Sequence, residues 1–540
     1  MRLANLRTSS WFESAVVVTL IGCGGSGSSG PPPPPPASFS FSVNPPALSG
    51  TVGAPTPPIV ISAASQNGFS GAVSVAISGS PPGGTTAPSF PFSLMPDTTQ
   101  EVVFSIPNTA QTGSVMLQFT ATSGQLSKTA SLTLTIAPAA VIQTYQSGPM
   151  LYLEATTTNE TTRVGLLTTW GGSVVEVSVN GVNTVNVNDP GREVQVGLWD
   201  GNVAANNLPF WGVEQAGDHD YDGSAVLTQT VGPDSIYVKT QPLQWVPENF
   251  GGGSGNPVLA DFYIEQWLTP VPGHGRAFKI HYKITHVGTD THANADQEFP
   301  GVYVNRGWDT FLYYGGTEPW TYKPLSNFTM PDLPQTGPLL YTPEEWGAYV
   351  DANNSGLTVY TPGSFLYSHG FNAAGASPNG TNNFGPVTPF TWAPGAVLES
   401  NIYMIAGPVS DARAIVYELR HQETNPSPFT PRSYVEEPQS GDTLSGSGAL
   451  IVGWAFGTSD ITRVDVLVDG MVVGTATHGL SRSDFPAFFP HISNTNVGFQ
   501  YFLDTTKYSN GAHDIVVEIV DVNGNLAILP TAHVTTMNSP

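Results

Sequence analysis

At 540 residues the chain is too long for one domain, and 40% hydrophobic residues with 10% aromatics can fill several cores. A net charge of -24 leaves no basic surplus to neutralise phosphates, which argues against nucleic acid as a partner. Only 11% of residues are charged, so Ser, Thr, Asn, Gln and Gly must cover much of the surface. Charged helical faces are then scarce, and an all-β chain is expected.

Residues 1–23 carry Arg2 and Arg7, an apolar run over 15–21, and Gly22-Cys23. A basic start, a short apolar core and a small residue at the cut make a secretory signal, too short to span a bilayer. Cys23 is the only cysteine, so no intrachain disulfide can form and packing alone must hold the domains. Leu20-Ile21-Gly22-Cys23 resembles the lipobox of bacterial lipoproteins. That resemblance implies acylation of Cys23, anchoring in a membrane and, with Gly24 rather than Asp next, display at the outer membrane or cell surface. Residues 24–36, GGSGSSGPPPPPP, read as a tether, flexible and then stiff.

Residues 37–138 contain short runs that alternate apolar residues with Ser or Thr, separated by Pro45-Pro46, Asn67-Gly68 and Pro81-Pro82-Gly83-Gly84. Short strands at regular spacing with turn signals predict a β-sandwich, and the segment resembles bacterial immunoglobulin-like modules. Residues 139–424 form a central domain that holds most of the Trp, Tyr and His. Strands are expected at 235–239, 261–268, 278–286, 301–305 and 401–406, with a hairpin joining 346–350 to 357–360. The alternative there is a helix started by the capping box at Thr342. Ser410 is expected to cap a helix over 410–421, with Ala414, Ile415 and Leu419 as its apolar stripe. Long polar loops are expected at 202–232, 246–257, 287–297 and 361–395. Residues 425–540 add strands around the turns Asp469-Gly470, Asn510-Gly511 and Asn523-Gly524. The run from GWAF through VDVLVDG to VDVNGN resembles a second bacterial immunoglobulin-like family. Asp521, Asn523 and Asn525 superficially follow a calcium loop but lack its Gly and Glu, so a plain turn is expected.

The chemistry should lie in the central domain. Residues 170–200 read as a Gly-Gly turn, a strand alternating at 174–179, an Asn180-Gly181 hairpin turn, a second strand, a turn at Asn188-Asp189-Pro190-Gly191 and a third strand. In that last strand Arg192, Val194, Val196 and Leu198 fall on one side and Glu193, Gln195 and Trp199 on the other. The same split puts Tyr263, Glu265 and Trp267 opposite Phe262, Ile264, Gln266 and Leu268, and His281 opposite Ile280 and Tyr282. Carboxylates, amides, imidazole and flat rings on three strands make a surface that suits a sugar, rings on its C–H faces and polar groups on its hydroxyls. With Tyr303 these residues form the expected substrate-binding set, and a polysaccharide or cell-wall glycan the expected partner.

Glu265 and Glu298 are the expected acid/base pair for hydrolysis. Elimination would instead use His219 or Tyr303 as base. His219 lies among Glu214, Asp218 and Asp220 in a Gly-containing loop. Adjacent residues rarely converge on one ion, so no metal is assigned there, and no cofactor motif is present. The central domain holds ten of the seventeen Lys and Arg, about its share by length, which favours a neutral glycan over a polyuronate. GGSVVEVSVNGVN followed by GREVQ resembles the opening of galactose-mutarotase-like β-supersandwich domains, found in aldose epimerases, polysaccharide lyases and parts of glycosidases. It implies a sugar laid across the concave face of a large antiparallel sheet. A display protein that binds glycan without turning it over remains the alternative, since two flanking modules and a stalk suit adhesion as well.

Overall fold

The computed structural model describes residues 34–539, apart from 80–83, 187–190, 207–210, 330–338, 372–379, 424, 488, 490, 491 and 493. Cys23, the signal segment, most of the tether and residues 188–190 of the turn expected before the third strand lie outside the described residues. The chain is almost entirely β, with 57% strand and 6% helix.

The strands from Ser38 to Ala137 form a four-stranded and a five-stranded sheet that close on Phe39, Ile59, Phe104, Phe119 and Leu132. The strands from Arg432 to Thr536 form a four-stranded and a six-stranded sheet around Ile451, Val464, Val517 and Ile519. Asp469-Gly470 turns with both residues at positive φ, while Asn523-Gly524 needs it only at Gly524. The Asp521 carboxylate accepts from the backbone N–H of Asn523 at 2.9 Å and of Asn525 at 2.8 Å, which makes this segment a turn, as expected.

Between them lies a sandwich of a twelve-stranded and a nine-stranded sheet, both antiparallel. The inner row of Val194–Trp199, which is Val194, Val196 and Leu198, packs towards Phe262, Ile264, Phe278 and Ile280 of the other sheet. The Gly-Gly turn enters this core closely. A Cβ on Gly171, at φ +59°, would lie 2.1 Å from the Gln215 carbonyl oxygen, so only glycine fits. Beside it Gln266, placed on the apolar side by the sequence pattern, is buried and spans the sheets: its amide donates to the Gly172 carbonyl and accepts from Gln215.

Several local expectations change. The alternation over 174–179 slips, because the partner register shifts between Gly165 and Leu166, and Val174 and Val177 both reach the core. The loop expected at 287–297 is mostly strand, His292–Asn305, and that at 361–395 holds the strands Leu366–Phe371 and Thr381–Trp392. Thr381–Trp392 has two prolines and little alternation because both its faces are covered. A short helix, Gly201–Asn206, stands where only loop was read. Trp346–Val350 and Ser355–Tyr360 pair as the expected hairpin. The helix Val409–Leu419 starts at Pro408 without a side-chain cap, not at Ser410, since Val397–Pro408 runs straight into it. Buried Glu344 pins this helix to the sheet, accepting from Arg413 Nε at 3.0 Å, Arg413 Nη2 at 2.8 Å, Tyr417 OH at 2.6 Å and Trp346 Nε1 at 3.0 Å.

Candidate active site

The polar residues read as one face belong to two sheets, with the shared core between them. Glu193, Gln195, Trp199, Glu298 and Tyr303 lie in the twelve-stranded sheet; Tyr263, Glu265, Trp267 and His281 lie on the outer side of the nine-stranded one. Glu265 and Glu298 therefore do not form a pair. Period-two patterning assigns a residue to a side of its own strand and carries nothing about which sheet that strand joins.

The twelve-stranded sheet supplies a different pair. Gly197, in the central strand Val194–Trp199, is opposite Glu214 of Gly212–Glu214 on one side and Glu298 of His292–Asn305 on the other. A Cβ at 197 would sit 3.3 Å from both Glu214 carboxylate oxygens and 3.4 Å from Glu298 Cβ; one at Gly301 would sit 2.7 Å from Glu298 Oε2. Two glycines thus leave the room these carboxyl groups occupy. Gln195 holds Glu214 in place: its amide donates to Glu214 Oε2 at 2.7 Å while its carbonyl accepts from the Ala216 N–H at 2.8 Å.

Their electrostatics follow from burial. Glu214 is almost wholly buried, and its pKa stands well above the usual carboxylate range, first through desolvation and then through the charges of Glu298 and Glu193. Glu298 keeps part of its surface accessible, yet the low-polarity surroundings push its pKa up to about 7. Tyr303 is half-buried beside them. Desolvation and then the charges of Glu298 and Glu214 raise its phenol, against the pull of Arg192, so Tyr303 stays protonated. A protonated phenol donates hydrogen bonds.

Glu193 and Gln195 are both buried and hydrogen-bonded within the sheet. Glu193 is fully buried and accepts from Ser173 Oγ at 3.1 Å, the Gly191 N–H at 3.2 Å and the Arg192 N–H at 2.7 Å. Trp199 is half-buried at the far end of the strand, its backbone N–H donating to Gln297 Oε1 at 2.8 Å. His219 stands on the rim. Its Nε2 is 3.0 Å from Glu248, which raises its pKa, and its ring meets Trp245 edge-on at 6.0 Å. Trp245 in turn covers Gly191, two residues before Glu193. Asp218 closes the loop, its carboxylate accepting from the N–H groups of Asp220 and Asp222 at 3.0 Å each.

On the nine-stranded sheet the outer residues pair among themselves. Trp267 lies between Tyr237, at 5.0 Å, and His281, at 5.4 Å. Tyr237 OH donates to Glu265 at 2.7 Å, and Lys239 sits 4.3 Å over Tyr263. His281 bonds Asn401 at 3.0 Å and Glu399 at 3.1 Å, and its end of the strip opens into a cleft of about 690 Å³ lined also by Tyr360, Asn401 and Arg420. A second cleft, about 590 Å³, lies between Tyr341 and Phe365 of the central domain and Phe456 and Phe499 of the last. Neither cleft holds the Glu214–Glu298 pair.

No protein-family model and no curated protein matches the sequence. Among solved structures, a protein described as a candidate aldose 1-epimerase from Klebsiella pneumoniae is similar at 11% identity and TM-score 0.29, covering 58% of this chain and 92% of that one. A polysaccharide lyase is similar at 9% identity and TM-score 0.26, covering 73% of this chain and 48% of the lyase. An endo-β-1,4-mannanase from Thermotoga petrophila is similar at 13% identity and TM-score 0.16 over 24% of each chain. The chain thus spans about a quarter of the mannanase and half of the lyase.

Proposed function

We propose that the central domain hydrolyses an extracellular glycan laid over the outer face of the twelve-stranded sheet, with Glu214 and Glu298 as its acid and base. The observation that carries this reading is the pair of carboxyl groups flanking Gly197, both raised in pKa, beside the phenol of Tyr303. Two carboxyl groups whose proton affinities are raised by burial can share acid and base roles at neutral pH. Glu214, the more deeply buried, keeps its proton and gives it to the glycosidic oxygen as the C–O bond breaks. Glu298 ionises near neutrality and takes a proton from the water that bonds to the anomeric carbon. Tyr303 donates a hydrogen bond to a hydroxyl, and Trp199 and Trp245 offer ring surface at either end. The test is a reducing-end assay over a panel of neutral and acidic glycans. Wild-type chain should release ends from a neutral glycan, and Glu298→Gln and Glu214→Gln should each lower turnover by a factor of about 100 or more. Wild-type rates in both variants would sink the reading.

A second reading rests on the Tyr237–Trp267–His281 strip and the cleft at its end, which suit glycan capture without catalysis. It expects saturable retention on immobilised glycan with no new reducing ends.

In either case we place the protein at the bacterial outer membrane or cell surface, held by acyl chains on Cys23 and lifted by the Pro-rich tether. The signal-like residues before Cys23, its standing as the sole thiol and the tether after it support this. Cys23→Ser should move the exported protein from the membrane to the soluble fraction; native protein found soluble with an unmodified thiol would refute the anchor.

A further inference from the structure

Where the nine-stranded sheet hands the chain to the twelve-stranded one, two histidines and two aspartates converge. Asp261 precedes the strand Phe262–Val271, His286 ends His274–His286, and Asp290 and His292 lie on the short link into His292–Asn305. One ligand atom from each lies within 4.8 Å of all the others. His286 Nε2 is 3.2 Å from Asp261 Oδ2 and 3.5 Å from Asp290 Oδ1, and His292 Nε2 is 3.9 Å from Asp290 Oδ2. Ligands about 2.1 Å from a tetrahedral ion stand about 3.4 Å from one another, so these separations match the edges of such a site.

The side-chain geometry leaves a polar hollow at its centre. His286 Nδ1 lies 2.9 Å from the Ala393 carbonyl, which can only accept, so Nδ1 carries hydrogen. His292 Nδ1 faces the Asp200 carboxylate at 3.2 Å, and that carboxylate also accepts from the Ala293 N–H at 2.9 Å. Each ring then presents Nε2 inward. The two rings, both almost wholly buried, stand with centroids 4.9 Å apart. His292 is only 4% exposed, and its Nε2 has no hydrogen-bond partner. Gly288 leaves the space open: a Cβ there would lie 2.0 Å from Asp261 Oδ2, 2.5 Å from His286 Nε2 and 2.8 Å from Asp290 Oδ1. Phe262 stacks on His286 at 4.7 Å and Trp211 on His292 at 4.1 Å, which fixes both rings.

We propose that Asp261, His286, Asp290 and His292 bind one divalent transition-metal ion, Zn²⁺ by preference, as a clamp between the two sheets of the central domain. Two imidazole nitrogens with two carboxylate oxygens suit Zn²⁺ better than Ca²⁺, which takes oxygen ligands in larger number. Four protein ligands leave no open position, so the ion is structural. Its ordered partner Asp200 follows Trp199, and the clamp fixes the end of the strand that carries Gln195 and Gly197.

The tag-free full chain, stripped with chelator and dialysed against Zn²⁺, should hold one equivalent and unfold at a higher temperature than the stripped form. Co²⁺ in its place should show the visible absorption of a tetrahedral ion. Asp290→Asn alters an exposed side chain and leaves the fold intact; it and His292→Gln should weaken Zn²⁺ binding by more than about tenfold. His219→Ala, in the separate group of His219, Asp220 and Glu248, should leave binding unchanged. No bound Zn²⁺ or Co²⁺ in the wild type, stabilisation by Ca²⁺ alone, undiminished affinity in Asp290→Asn, or loss of the ion in His219→Ala would each overturn the proposal.

Discussion

The outer faces of the two central sheets draw on the same residue types and differ in how they are paired. On the nine-stranded sheet the register sets Lys239 opposite Glu265, Glu265 opposite Lys283 and Lys283 opposite Glu399, so each acid has a cation across the ladder. On the twelve-stranded sheet Glu214 and Glu298 flank a glycine, with no lysine between them. Compensated charges on an exposed ladder contribute mainly to pairing of the strands. Uncompensated carboxyl groups with little water around them hold protons at neutral pH, the property acid–base catalysis needs. The abundance of acids on a face is therefore a poor guide to chemistry, and the identity of their cross-strand neighbours a better one.

The sharpest way to break this contrast is to neutralise one acid on each face. Glu298→Gln should cost a factor of about 100 or more in glycan turnover, and Glu265→Gln should leave turnover near wild type. Equal losses would mean that the contrast in pairing does not govern activity. A slower second measurement follows the proton itself. Glu298 binds its proton more tightly folded than unfolded, so between pH 4.5 and about 7 the native state holds more protons than the unfolded one. Stability from this group is then greatest at low pH and falls as pH rises through about 7. Urea unfolding at pH 5 and pH 8 should show the fall in wild type, and Glu298→Gln should make it shallower, the part due to Glu214 remaining; an unchanged slope in the variant would place the proton elsewhere.

How far the sequence reaches can be judged on the same residues. Alternation correctly set Val194, Val196 and Leu198 against Glu193 and Gln195, and Ile264 against Glu265, and the turn chemistry at Asn180-Gly181 and Asp469-Gly470 is as read. The all-β class follows from those signals. Sheet membership is a long-range property, and it decided the site: Glu298 and Glu265 look alike in sequence, and only the order of strands puts Glu214 beside the first. Glu214 stood in the polar cluster with His219, but three residues of strand are too short to announce a period. The strand Thr381–Trp392 was illegible because burial on both faces erases alternation. His286 and His292 went unread as ligands because their convergence depends on a link between sheets that the sequence presents as a loop.

The smallest expected effect tests whether the nine-stranded face is only a surface. Trp267 is half-buried in its strip, with Tyr237 and His281 on either side at contact distance. Such ring pairs add about 0.5–1.5 kcal/mol beyond their area, so Trp267→Ala should lower folding stability by roughly 1 kcal/mol. It removes no group from the Glu214–Glu298 site, and hydrolysis of a short soluble glycan should proceed at the wild-type rate. Retention of a long glycan in affinity electrophoresis should weaken if the strip holds a chain. Retention unchanged in Trp267→Ala would reduce the strip to sheet packing. A loss of short-substrate turnover as large as that of Glu298→Gln, with stability otherwise intact, would mean that both faces serve one site and that the distinction between them fails.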